Sequence, residues 1–360
     1  MHQPTRRAVL AGLATAGLLA GPAHAVPAPR RLVLGCRMPV GGGAVFSAVD
    51  AITGRIAWEV DLPGRGHDVV AGPDRRFAMV PERRPGTYVA IIDIRAGRLH
   101  AILESPAGRH VYGHGAFSAD GRLAFVTENR IDDCAGRIAV LDATDGFRRV
   151  GDLPAGGVGP HQAILGSDGR TLVVANGGLM TRPETGRTRL NLDTMRPNVA
   201  LVDIRTGDVL ARLEPPADLH QLSLRHVAPC GAGGIAVGAQ YEGAADRAVP
   251  LVGRIDGKGL RLFPMPESVA PELRNYTGAV ACDPAGRVIV ATCPRGNAAT
   301  VWDSATGALL ASLPVTDVCG AATVPEGVLV SGYQGLFDLP SGSSHAGPGR
   351  WDNHLAVVDV

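Results

Sequence analysis

Histidines are the residues in this 360-residue chain whose types and spacing best suit chemistry. Three stretches share one pattern: "GRGHDVVAGPDRR" at 64–76, "YGHGAFSADGR" at 112–122 and "GPHQAILGSDGR" at 159–170. Each passes from a histidine through a short apolar segment into a tight polar turn. Imidazole is a common transition-metal ligand and a proton shuttle near neutral pH. A histidine held at one register in successive strands gathers several imidazoles in one place. His67 and His161 stand eight residues before their turn positions, Arg75 and Gly169, and His114 stands seven before Gly121. The later equivalents are Ser223, Gly278 and Cys319. His110 and His220 lie eleven before a turn glycine, which places them in entry loops, and His226 lies deeper in its strand.

The elements that carry these histidines follow from a second repeat. "FSAVDAITGR" at 46–55 recurs as "AIIDIRAGR" at 90–98, "AVLDATDGF" at 139–147 and "ALVDIRTGD" at 200–208. It continues as a blurred "GRIDGKG" at 253–259, "TVWDSATGA" at 300–308 and a truncated "AVVDV" at 356–360. An Asp that closes a strand bonds the backbone of the turn, and the Gly four later accepts positive φ. Each unit reads as four strands at the 40–50-residue spacing of propeller blades. Seven copies predict an all-β, seven-bladed β-propeller without long helices. The strands that can be read number 26, short of the 28 in seven full blades. The chain starts on an apparent second strand and stops on an apparent third, so closure of the ring is left open.

In a propeller the innermost strand of each blade lines the channel, and the loops entering it share a face with the ends of the next strand. This brings Arg83, Glu128, Arg130, Asn176, Tyr241 and Arg295 towards the histidines as a candidate ligand-binding face. The candidate metal ligands are His67, His114, His161, His220 and His226, with Cys319 as a soft partner, and iron or copper as the metal. The competing role for the histidines is structural, as hydrogen-bonded links within or between blades; for the charged residues it is a solvated rim. Loops 176–198, 241–250 and 333–353 leave from the same side, and the first reads as a lid. Cys36, Cys293 and Cys319 are expected on this face. A Cys293–Cys319 disulfide is one option, but sequence does not assign pairs among six cysteines.

A net charge of +1 gives no general attraction to nucleic acid or anionic lipid. "TRRAVL" places Arg6 and Arg7 before an apolar run that ends near "AHA" at 23–25. Residues 1–25 are expected to be a cleaved twin-arginine (Tat) signal peptide, with residues 26–360 forming one propeller in the periplasm and no membrane span in the mature chain. No G-x-S-x-G, H-E-x-x-H or C-x-x-C-H motif is present.

Several longer phrases carry a family resemblance: "GRHVYGHGAFSADGR" at 108–122, "VVANGGLMTRPETGRTRLNLDTMRPNVA" at 173–200, "LHQLSLRH" at 219–226, "RNYTGAVA" at 274–281 and "WDNHLAVV" at 351–358. With them the chain resembles the Tat-exported propeller family catalogued as domain of unknown function 1513, within the YVTN/quinoprotein-dehydrogenase-like propellers. Arg130 and Gln162 depart from its pattern, where acidic residues are usual, which weakens a carboxylate cluster. The resemblance implies a link to periplasmic iron acquisition, with imelysin-type or haem proteins as partners. Three readings stand: a metal-linked binding or accessory propeller, a propeller enzyme (a lactonase-like hydrolase or a redox protein) using the same face, and an interaction scaffold.

Overall fold

The structure is a computed structural model and describes residues 30–186, 188–332, 335–339, 344–346 and 350–360. The proposed signal peptide lies outside the described residues, as does part of the 333–353 loop. The described chain forms seven four-stranded antiparallel sheets arranged as a seven-bladed β-propeller. One four-residue α-helix, Ala270–Leu273, is the longest α-helix among the described residues.

The repeated Asp phrase closes the hairpin between the third and fourth strands of six blades. Asp50 Oδ1 accepts from the amides of Ile52 (3.1 Å) and Thr53 (2.9 Å). Asp303 Oδ1 does the same for Ala305 (3.1 Å) and Thr306 (2.7 Å). The glycines four residues on, Gly54 and Gly307, have φ of 67° and 78°. The Asp side chain thus replaces a backbone partner while glycine takes the left-handed turn.

The seventh copy of the phrase does something else. Residues 356–359 belong to the strand Arg350–Asp359, which pairs with Arg31–Met38 as the innermost strand of the first blade. The chain therefore stops on a first strand, not a third. The last blade has its own four strands, from Ala321–Val324 to Ser344–Ala346. With these the described residues form 28 strands, and the ring closes where the first and last described strands share a blade. An apolar run ending in Asp reads alike in an inner and a third strand, which is why the sequence misplaced it.

The core lies between blades. Phe125 and Ile138 of the third blade pack with Ala163, Val174 and Val202 of the fourth. Turns also meet across blades. Gly286 has φ of 65°, and a Cβ there would lie 2.2 Å from the Gly231 nitrogen of the preceding blade. Gly286→Ala should destabilise by about 2 kcal/mol or more, from the left-handed backbone and the backbone clash. A urea midpoint equal to wild type would contradict this packing.

Candidate metal centre at the channel mouth

Five blades each bring one buried histidine to a common centre: His67, His114, His161, His226 and His354. A sixth buried histidine, His110, lies in the strand Arg109–Phe117 and not in an entry loop, and stacks on Tyr112. Local backbone irregularity explains how the five get there. In the inner strand Arg109–Phe117 the pairing shifts between Val111 and Gly115; in Pro160–Leu165 it skips His161; in Leu222–Pro229 it skips Arg225, next to His226. In Arg350–Asp359 the residues 352–354 fall in a break of register. His67 precedes the short strand Val70–Ala71. Bulges re-aim side chains that a regular pleat would alternate between faces. Here they turn the imidazoles inward.

The rings gather around His114. Its centroid lies 4.4 Å from that of His354, 4.5 Å from His161 and 4.9 Å from His67. His226 completes the group, 4.9 Å from His161 and 5.2 Å from His354. Two carboxylates fix two of the rings. His67 Nδ1 lies 2.7 Å from Asp352 Oδ1, and His114 Nδ1 lies 3.1 Å from Asp68 Oδ2. An ionised carboxylate only accepts, so each Nδ1 carries the proton and each Nε2 keeps its lone pair, which in His114 is buried without a partner. Arg65 pairs with Asp352 from the other side.

Burial pushes all five imidazoles below the ordinary histidine range, and the other imidazoles and the Arg225 charge push most of them the same way. Burial opposes ionisation of Asp352, yet the bond to His67 and the charge of Arg65 hold its carboxyl well below the usual range. The centre therefore holds neutral imidazoles, the form that ligates metals. Several ring nitrogens are buried without any hydrogen-bond partner: His114 Nε2, His161 Nδ1, His354 Nε2 and both nitrogens of His226. Buried polar atoms rarely go unpaired, because each costs about 1–3 kcal/mol. Two triads, His67–His114–His161 and His114–His226–His354, have ligand nitrogens within 4.8 Å of one another. Two nitrogens on one ion are at most about 4.2 Å apart at metal–nitrogen distances near 2.1 Å, so small ring movements suffice.

The sequence-derived candidates separate into two groups. His67, His114, His161 and His226 meet at the centre. His220 does not: it is an exposed residue closing the short turn Ala217–Leu219 and joins neither triad. Its entry-loop position leaves the side chain in solvent. Cys319 lines the cavity above the centre, but its thiol donates to Asp317 O at 3.0 Å and burial pushes its pKa up to about 12. It is a protonated thiol outside both triads. Of the proposed face, Arg83, Tyr241 and Arg295 line that cavity, whereas Glu128, Arg130 and Asn176 do not. Glu128 is buried under Arg149, at 2.8 and 2.9 Å. Arg130 is exposed and pairs with Asp133. Asn176 donates to Ala155 O of the third blade at 2.8 Å and to Asn198 Oδ1 of its own, the fourth, at 3.0 Å, so it ties two blades together. All six cysteines are free thiols, so the Cys293–Cys319 disulfide does not form.

The cavity measures about 1010 Å³ and opens above His67 and His161. The 176–198 loop supplies Leu179 and Arg189 to its wall. That loop is pinned by Asn191, which accepts from Met180 N at 2.7 Å and donates to Gly178 O at 2.9 Å, so it is a built wall segment in place of the lid expected. His354, Asp352, Asp68 and Arg225 went unnoticed in the sequence.

A family model for proteins of unknown function, DUF1513, matches residues 60–358. The chain belongs to the DUF1513 family. No curated protein matches it. Among solved structures it is similar to Kuenenia stuttgartiensis hydrazine synthase, with 18% identity, a TM-score of 0.63 and coverage of 96% of this chain and 99% of that one. A nidogen/laminin complex structure gives 12% identity, a TM-score of 0.50 and coverage of 79% and 93%. At these identities the likeness concerns the propeller fold alone.

Proposed function

We propose that this DUF1513 protein is an exported, periplasmic metal-binding propeller, serving iron or copper handling, whose five-histidine centre holds one transition-metal ion. The observation that carries the reading is the set of buried, neutral imidazoles with unpartnered nitrogens converging from five blades. The Asp68–His114 and Asp352–His67 pairs are the carboxylate–histidine arrangement that orients metal-ligating rings. Because Asp68 occupies His114 Nδ1, that ring has one lone pair, and the two triads compete for it. One ion per chain at His114 follows. The twin arginines Arg6–Arg7 support export, and iron acquisition rests on the family resemblance. Cys319 is the only serine, threonine or cysteine lining the cavity among the described residues, and it is held protonated, which favours binding over covalent catalysis.

The test uses His226→Leu. Neither ring nitrogen of His226 has a partner, so its replacement removes no hydrogen bond and relieves two orphaned atoms. The metal-free variant should melt at or above the wild-type temperature. Wild type should gain about 2.7 kcal/mol at a hundredfold excess of metal over Kd, a rise of about 5 °C, and the variant should lose most of it. A melting series with iron, copper, zinc and manganese, with elemental analysis of protein exported in its own host, reads both. Histidines that only tie blades together predict the reverse: no metal shift, and a metal-free variant that melts lower.

A further inference from the structure

The cavity above the histidines is walled by eight arginines against two carboxylates, Glu242 and Asp317. A chain with a net charge of +1 has thus concentrated cations at one mouth. Some are spoken for. Arg65 pairs with Asp352, Arg350 with Asp317 at 2.9 Å, and Arg189 with Glu242 at 2.6 Å. Arg225 is different. It is 6% exposed, its Nη1 lies 3.7 Å from a Glu242 carboxylate that already serves Arg189, and its Nε has no partner. The bulge in Leu222–Pro229 places this guanidinium in the cavity wall beside the histidine centre. At the rim, Arg295 and Arg274 are exposed, and Arg295 lies 4.2 Å over the Tyr276 ring.

We propose that this funnel binds a small organic or inorganic polyanion, carrying two or more carboxylate or phosphate groups, with one anionic group seated on Arg225 and the others reaching the rim arginines Arg274 and Arg295. A buried guanidinium with an empty donor is satisfied by an oxyanion, and guanidinium forks match both carboxylate and phosphate. The volume suits a ligand of citrate size or larger. The site is built from this chain's own cations and needs no metal. An anion seated on Arg225 would also lie beside the metal centre, where an oxygen donor complements nitrogen ligands.

The experiment is calorimetric titration of EDTA-treated full-length mature protein with citrate, pyrophosphate, acetate and glycerol at matched ionic strength. Citrate, pyrophosphate or both should bind at least tenfold tighter than acetate, and whichever binds names the anionic group; glycerol should not bind. Arg225→Gln should weaken binding about tenfold or more, since a charge-assisted bond is lost. The exposed pair Arg274→Gln/Arg295→Gln, which leaves the core untouched, should weaken it several-fold and flatten its salt dependence. Binding no tighter than acetate, or unchanged affinity in any variant that folds as wild type, overturns the proposal. Because the protein is metal-free, anion binding without any metal shift sinks the metal reading alone, and a metal shift without anion binding sinks this one alone.

Discussion

Deleting residues 350–360 should leave no folded propeller. The strand Arg350–Asp359 is the innermost strand of the first blade, and it joins the chain's last residues to Arg31–Met38. Its loss would unpair the inner edge of that blade and expose Val33 and Leu34, both fully buried. It would also remove Trp351, Leu355 and Val358 from the core and leave His67 and Arg65 without Asp352. Trp351 alone sets the scale. It is 2% exposed, and its ring fills the space a side chain at Gly35 would take, 2.7 Å from where that Cβ would be. Trp351→Ala should cost about 3–5 kcal/mol. That is a large share of the roughly 5–15 kcal/mol that holds a domain folded. The deletion adds an open sheet edge, which invites aggregation. The measurement is soluble yield and far-UV circular dichroism of the deletion beside thermal melting of Trp351→Ala. A deletion variant that melts cooperatively at the wild-type temperature would show that the ring does not depend on this closure.

The same strand marks where the sequence stopped being legible. The blade count was readable because the Asp–Gly hairpin is a local device, with its Asp oxygen and turn glycine four residues apart. Register of three histidines, His67, His114 and His161, was readable because each sits seven or eight residues before the turn ending its inner strand, and His226 was found deeper in the equivalent strand. His354 follows the same logic in "WDNHLAVV", but its strand has no turn after it and ends with the chain. Without that landmark it was read as a third strand and its histidine was not counted. The bulges are the other gap. They break the two-residue alternation from which facing side chains are inferred, so Arg225 and Asp352 gave no signal as channel residues. Conversely, Glu128 and Asn176 stood at the right height on their strands but point into the blade packing, where alternation is regular.

Metal-free protein should lose stability steeply as pH falls below about 6.5, the value of a histidine in the unfolded chain. All five imidazoles of the centre are lowered in the fold, first by burial and then mostly by one another and by Arg225. Between the lowered folded values and 6.5 the unfolded chain binds protons that the folded chain refuses. Acid therefore draws the equilibrium towards unfolding, and the stability present above that window is lost within it. Each histidine contributes a slope of up to about 1.4 kcal/mol per pH unit. Several acting together change stability by an amount comparable to the total over one or two units. Asp352, held low by His67 and Arg65, acts in the same direction but only below the ordinary carboxylate range, so its effect comes later. Urea unfolding at pH 7.5, 6.5 and 5.5 counts the protons directly from the slope. His226→Leu should bring that count down by about one, and should do so without lowering stability at pH 7.5, because the ring it removes bonds to nothing. A stability that stays flat from pH 7.5 to 5.5 would mean that the imidazoles titrate in the fold as they do in the unfolded chain, in contact with water, and the dry, neutral centre that the metal reading needs would not exist. Added metal supplies the complementary arm of the same measurement. Because the folded imidazoles stay neutral through this window, protons do not compete there for the lone pairs an ion at His114 would use. The metal-dependent gain should therefore persist from pH 7.5 to 5.5 while the metal-free chain loses stability, and should shrink only below the lowered folded values.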